Sequence, residues 1–284
     1  MGWKHLALRF PPFKRLHEER VRLRARLRAA RTQLKAAAEE RARLKVQLRE
    51  ARKAAAEKRA RIEARLEAHA PKLLKLMEKC GVDLVLDVGA NTGQFARWLR
   101  KGGFRGEIIS FEPLSDAFAA LERACTQDGN CSCHKLALGE DNGTATINIS
   151  LNSASSSLLR SRDWATAVEP GIASMGQETV DVRRLDELLP SLTDARRIFL
   201  KIDTQGFERR VLEGARDVMS RIAMVQLELA WTPAYEGQAE LSEMAGLMRN
   251  QRFVPILIEP AWTDKNGVLR EMDVVFVRDP AASG

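Results

Sequence analysis

Nowhere does the sequence string together the roughly 18 apolar residues that a membrane-crossing helix requires. The amino-terminal residues are basic and aromatic and lack the continuous apolar core of a secretory signal. Met1-Gly2 opens like an acylation site, but Leu6 stands where that motif needs Ser or Thr. There are four histidines, four cysteines and a single tyrosine. Cys131-Ser132-Cys133-His134 crowds three metal-ligand types into four residues, but the spacing is not C-x-x-C and no second pair accompanies it. No metal site is therefore expected, and Cys80, Cys125, Cys131 and Cys133 read as free thiols of a cytoplasmic protein. The phosphate-loop pattern G-x-x-x-x-G-K-[ST] is absent, and so is G-x-G-x-x-G.

Glycine and proline are missing from residue 16 to about residue 67, where Ala, Leu, Arg, Lys and Glu dominate. That composition predicts a long helix. Alternating steps of four and three residues from Leu23 to Ile62 meet apolar side chains except at Arg41 and Lys58. The period is that of a coiled coil, weakened by the two cations and by several alanines. Residues 1–70 hold 21 Lys and Arg against 8 Asp and Glu, whereas the rest of the chain holds 25 against 30. The net charge of +8 is thus a property of the extension. Two partners suit such a segment: a second copy of the chain through residues 16–67, giving a homo-oligomer, or an anionic membrane or other acidic surface. A solitary charged helix remains the plainer alternative. Nucleic acid is disfavoured, because no zinc finger, RRM or KH motif and no interleaved aromatics accompany the basic residues. Trp3, Leu6, Leu8, Phe10 and Phe13, with Pro11-Pro12 as a break, could form an interfacial anchor. The expected location is cytoplasmic, with a peripheral membrane contact left open.

Beyond the extension, residues 84–95 organise the chain. Leu84, Val85, Leu86, Asp87 and Val88 form a strand that ends in a carboxylate, followed by the turn Gly89-Ala90-Asn91-Thr92-Gly93 and a helix from Gln94. Glycines let a ligand approach the backbone closely, and open α/β sheets bind ligands at the carboxyl ends of their strands. A carboxylate beside the turn repels a pyrophosphate and suits a cation. A second strand ends at Glu112 and is stopped by Pro113. It lies 23 residues after Gly89, where a ribose-hydroxyl acceptor is expected in a βαβ nucleoside site. A nucleoside cofactor carrying a cation and no phosphate points to S-adenosyl-L-methionine. The alternative is a purely structural strand–turn–helix.

Pro71 should close the long helix, leaving Lys72–Cys80 as a short amphipathic helix. Ser115 should cap a helix over 116–126, and 131–138 should be one strand. The Asn142-Gly143 pair signals a hairpin before the alternating strand 144–150. The serine-rich segment from Asn152 to Gly176 has no clear period and reads as a substrate-side loop. Further strands are expected at 179–184, 198–203, 224–229, 253–258 and 272–277, the last two as a terminal antiparallel hairpin around Asp264-Lys265-Asn266-Gly267.

Asp87-Val-Gly-Ala-Asn-Thr-Gly-Gln-Phe95, Phe111-Glu-Pro113, Lys201-Ile-Asp-Thr-Gln-Gly-Phe-Glu208 and Val211-Leu-Glu-Gly-Ala215, in this order, resemble the FkbM-type S-adenosylmethionine-dependent methyltransferases over roughly residues 80–278. The resemblance implies an α/β class I methyltransferase fold, a Rossmann-like seven-stranded sheet with a terminal antiparallel hairpin, preceded here by the long helix. It divides the chain into an extension, 1–70, and a methyltransferase domain, 71–284. It implies methylation of a hydroxyl on a small-molecule or glycan acceptor, a sugar or related natural product. N- or C-methylation, or an inactive methyltransferase-fold scaffold working through its coil, are the alternatives. The cofactor residues are expected to be Asp87 at the methionine end, the turn Gly89, Ala90, Asn91 and Gly93, Glu112 at the ribose, Leu138 as an adenine wall, and Asp203 between cofactor and acceptor. Lys201, Asp203 and Glu228 are the candidate catalytic groups, with Lys201–Asp203 alternatively a structural ion pair. The chain departs from the family pattern at Gln205, where the family usually carries Glu.

Overall fold

The computed structural model describes residues 11–279, with side chains for 15–38, 40, 41, 43, 45 and 71–279. The aromatic anchor expected around residues 3–10 lies outside them. The chain divides into two units, Met1–Glu67 and Ala68–Gly284.

Helix α1 is Pro11–Cys80. Pro11 and Pro12 are the first described residues of this helix, and whether they form a break from residues 1–10 lies outside the described residues. Pro71 lies inside the helix and does not close it. An interior proline forfeits one backbone hydrogen bond and crowds the preceding turn. Beyond it, Leu73 and Met77 are buried and Leu74 packs over Gly102, so tertiary contacts hold the helical backbone to Cys80.

The second unit is built on a seven-stranded sheet in the order β3-β2-β1-β7-β8-β10-β9. Its strands are β1 (Leu84–Val88), β2 (Glu107–Phe111), β3 (Cys131–His134), β7 (Ile198–Ile202), β8 (Ile222–Ala230), β9 (Phe253–Thr263) and β10 (Leu269–Arg278). β1 is parallel to β2 and β7, and β7 to β8, while the β9–β10 hairpin runs antiparallel against β8. Every residue of β1 and β7 is buried, as the mostly apolar strands of a sheet covered on both faces require, and the one charged residue in each, Asp87 and Lys201, pairs with the other. Helices α2 (Gln94–Lys101), α3 (Ser115–Asp128), α5 (Leu185–Leu192), α6 (Glu208–Glu213) and α7 (Leu241–Asn250) connect the strands. This is the α/β architecture expected from the sequence, a Rossmann-like seven-stranded sheet ending in an antiparallel hairpin and preceded by a long helix.

A second sheet, β4-β6-β5, joins Ala137–Leu138 (β4), Ser174–Arg183 (β6) and Gly143–Ser150 (β5). It revises three expectations. Residues 131–138 are two strands in two sheets, because the chain turns at Lys135-Leu136 after leaving β3. Asn142-Gly143 closes no hairpin: β6 lies between β4 and β5, parallel to the first and antiparallel to the second. Asn142 instead accepts the Arg184 amide and donates to Glu187. The segment after β5 is ordered by α4 (Asp163–Val168) and by Ile172, Ala165, Ala234 and Tyr235, which pack together. Ser115 does not cap α3 from its own side chain; Glu178 accepts both its amide and its hydroxyl. Finally, Cys125 at the end of α3 and Cys131 at the start of β3 form a disulfide, contrary to the expectation of four free thiols. The turn through Gly129 brings their Cα atoms to 4.8 Å, within the range a bridge needs.

Candidate active site

The turn after β1 is shaped by backbone demands. Gly89 has φ +75°, and a Cβ there would lie 2.0 Å from the Asp203 carbonyl oxygen. Only glycine lets the β1 turn pass against the end of β7. Asn91 adopts φ 48° and accepts the Thr92 amide on Oδ1 at 2.8 Å. Gly93, at φ +79°, starts α2. The amides of Gly89 and Ala90 both donate to the Phe111 carbonyl. Ala90 is buried against Leu121 and Cys125, so this expected cofactor contact is a packing residue with its amide already committed.

Glu112 follows β2 and ties the turn down. Its Oε2 accepts the Asn91 amide at 2.8 Å and its Oε1 the Leu114 amide at 2.9 Å. Burial pushes its pKa up, against the opposing pull of those two amides. Each carboxylate oxygen has capacity for a further donor.

Asp87 is fully buried and pairs in register with Lys201. The Lys201 ammonium lies 3.2 Å from Asp87 Oδ1, 3.4 Å from Asp203 Oδ2 and 3.4 Å from the Gly89 carbonyl. Neither Asp87 oxygen accepts a well-directed hydrogen bond, so the pair is held by charge and proximity. Burial raises the Asp87 pKa despite the nearby cation. For Lys201 burial acts downward, but Asp87 and Asp203 outweigh it and hold the ammonium above the usual lysine range. With only 7% of the residue exposed, Lys201 is enclosed by protein acceptors. Its expected part in binding an acceptor gives way to a positioning one, an ion pair beneath the site. Asp87 likewise acts on the turn from below and is not open to a ligand.

Asp203, just past β7, is the carboxylate that remains open, with 41% of its side chain exposed. Gln205, at φ 54°, donates from Nε2 to Asp203 Oδ1 at 3.0 Å and to Glu228 Oε2 at 2.7 Å. Its Oε1 lies 3.1 Å from the Tyr235 hydroxyl, which is also 3.0 Å from the Ser155 carbonyl. The Gln205 carbonyl accepts from Ser157 Oγ at 2.7 Å. A carboxamide can donate to two carboxyl oxygens at once, which an ionised glutamate could not. Glu228, on β8, has a strongly raised pKa, first from burial and then from Glu271, Asp203, Asp273 and Glu208. Burial and the same acidic neighbours raise the Tyr235 pKa, so its hydroxyl stays protonated.

The structure therefore brings Asp87, Glu112, Lys201, Asp203 and Glu228 together at the carboxyl ends of adjacent parallel strands. Leu138 is not with them. It is 1% exposed inside the main core with Leu185 and Leu212, leaving no open face for an adenine. Sequence reasoning missed Tyr235, Ser157 and Glu208. Glu208 accepts the Thr204 and Gly206 amides and so fixes the turn holding Gln205, and its burial pushes its pKa up to about 7. One available signal was that Tyr235 is the sole tyrosine of the chain.

The methyltransferase FkbM domain matches residues 87–255, more than half of the chain and all the strand ends just described except the last hairpin. This chain belongs to the FkbM methyltransferase family. Among curated relatives of this FkbM chain, Methyltransferase 1 of Beauveria bassiana (strain ARSEF 2860) is 24% identical over 191 residues, covering 63% of this chain and 75% of that one. Methyltransferase sdnD of Sordaria araneosa is 24% identical over 173 residues, 53% of this chain and 67% of that one. The solved methyltransferase FkbM of Methylobacillus flagellatus KT is 16% identical with a TM-score of 0.43. That match covers 69% of the present chain, which spans 43% of the solved one.

Proposed function

We propose that this methyltransferase uses S-adenosyl-L-methionine to methylate a hydroxyl of a sugar, glycan or related natural product. The observation that carries the reading is Asp203, an exposed carboxylate fixed between the buried Lys201 ammonium and the Gln205 amide beside the glycine turn. The residues present fit a cationic nucleoside. Glu112 retains acceptor capacity for ribose hydroxyls, and the exposed Asp203 carboxylate gives the crevice a negative character.

When bound, the sulfonium supplies an electrophilic methyl carbon together with its own leaving group. The chain must then align the acceptor oxygen and take its proton. Asp203 is placed to accept that proton. Lys201 and Gln205 hold its carboxylate in one orientation, and Glu228, bridged through Gln205, is placed to receive an acceptor hydroxyl. No metal is needed for this chemistry. The preference for oxygen over nitrogen or carbon rests on the family resemblance and on the carboxylate base.

Calorimetric titration with S-adenosylmethionine and S-adenosylhomocysteine tests the cofactor. Micromolar binding, about −8 kcal/mol, is expected, weakened at least about tenfold in Glu112→Gln. A folded protein that binds neither compound overturns the reading. Isotopic methyl transfer to a panel of hydroxylated acceptors, with Asp203→Asn as the control, tests the chemistry. Transfer to amines alone would refute the oxygen assignment.

A further inference from the structure

Residues 15–38 are helical, and their described side chains are exposed. Leu16, Leu23, Leu27 and Leu34 are 64%, 61%, 55% and 76% exposed. At 3.6 residues per turn these four leucines fall within about 40° of one another, forming a single stripe. Arg20, Arg24 and Arg31 border it on one side and Arg15, Arg22 and Arg26 on the other, each within about 120° of its centre. Over 15–38 there are eight Lys and Arg against two Glu. Each half of the pattern alone is unspecific. Leucines suit any apolar partner, and arginines suit any polyanion. Arginines along both edges of an apolar stripe match a boundary at which hydrocarbon meets fixed negative charge.

We propose that residues 15–38 form an anionic-membrane-binding helix that lies in the plane of the bilayer surface. The leucines enter the acyl boundary, and the arginine stems cover apolar surface while their guanidinium groups reach lipid phosphates. A second copy is the poorer occupant, because it would set the same flanking arginines against each other. Nucleic acid gains nothing from the stripe. The sequence immediately before, with Trp3, Leu6, Leu8 and Phe10, has the composition of an interfacial anchor.

The test is co-sedimentation of the full chain with phosphatidylcholine vesicles, with and without phosphatidylserine, at low and high salt. Wild type should pellet with the anionic vesicles alone and be released by salt. An anionic surface contributes roughly a fivefold gain per basic side chain. Replacing Arg20, Arg24, Arg26 and Arg31 with Gln should therefore lower partitioning at least about a hundredfold. Leu23→Ser with Leu27→Ser should abolish it too, with helicity and cofactor binding unchanged in both variants. Absence of binding to anionic vesicles, or equal binding to both kinds, overturns the proposal. Loss in the arginine variant but not in the leucine variant reduces the contact to a general polyanion interaction and also overturns it. A dimer seen by light scattering and lost in the leucine variant, with no vesicle binding, assigns the stripe to a second copy.

Discussion

On the β1–β2 side of the crevice the polar contacts of Glu112 go to backbone amides, that of Asn91 21 residues away and that of Leu114 two residues away. On the β7–β8 side every contact runs from a side chain, to another side chain or to a backbone carbonyl, and two of them span far more of the chain. Gln205 meets Glu228 across 23 residues and Tyr235 across 30, while Ser157 reaches Gln205 across 48 and Tyr235 reaches Ser155 across 80. One side is a local backbone device and the other a tertiary assembly. The difference implies different tolerances. Backbone devices fail outright when a single atom is added, whereas side-chain networks lose stability and orientation by degrees.

The sharpest way to break the first side is Gly89→Ala, which meets both a carbonyl oxygen and a positive φ. A loss of more than about 5 kcal/mol is expected, enough to prevent recovery of folded protein; a folded variant by circular dichroism would refute the close approach. Where the two sides meet, Lys201→Met leaves Asp87 buried without its cation. A cost of roughly 3–5 kcal/mol in urea at pH 8 is expected. The loss should be smaller at pH 5, where a carboxyl with a raised pKa takes up a proton more readily, and Asp87→Asn in the same chain should restore most of it.

On the second side, burial raises Glu208 and Glu271 from the usual glutamate value of 4.5 to about 7. A carboxyl with a raised folded pKa binds more protons folded than unfolded, so stability falls as pH rises from about 4.5 to about 7. Unfolding free energies from urea melts should therefore decline across that window, by about 3 kcal/mol for each group at the full shift, and Glu208→Gln should flatten the slope. Gln205→Glu should cost about 1–2 kcal/mol at pH 8 and less at pH 5, where a proton can replace the lost amide donor. Equal costs at both pH values would mean that the amide does not bridge the two carboxylates. The smallest effect belongs to Tyr235→Phe, about 1 kcal/mol in thermal unfolding with cofactor binding intact.

Legibility from sequence followed the same division. The strand–turn–helix around Gly89 is legible because its parts adjoin along the chain, and mostly apolar runs, each with one charged residue, mark β1 and β7. The Lys201–Asp203 alternation was visible, but whether the ammonium pointed at a ligand or at Asp87 depended on the β1–β7 register. Leu138 was misjudged because the chain changes sheets at Lys135-Leu136, which no local pattern marks. Gln205 stood out only as a departure. Its role needed Tyr235, Glu228 and Ser157, which no spacing rule associates with it. The Cys125–Cys131 disulfide was missed because composition argues about compartment, whereas proximity is made by the α3–β3 turn.

The absent side chain at Gly89 has a further consequence. The Asp203 carbonyl occupies the space that a Cβ would fill, so the cofactor turn and the segment bearing the proposed base are one mechanical part. A ligand that shifts either turn shifts the other. Under the proposed function, with cofactor at one turn and acceptor at the other, the two affinities should be thermodynamically linked, each changing the other by the same factor. Measuring cofactor affinity with and without saturating acceptor reads that linkage directly, and Gln205, which anchors the Asp203 side, is where it can be tuned without touching the glycine.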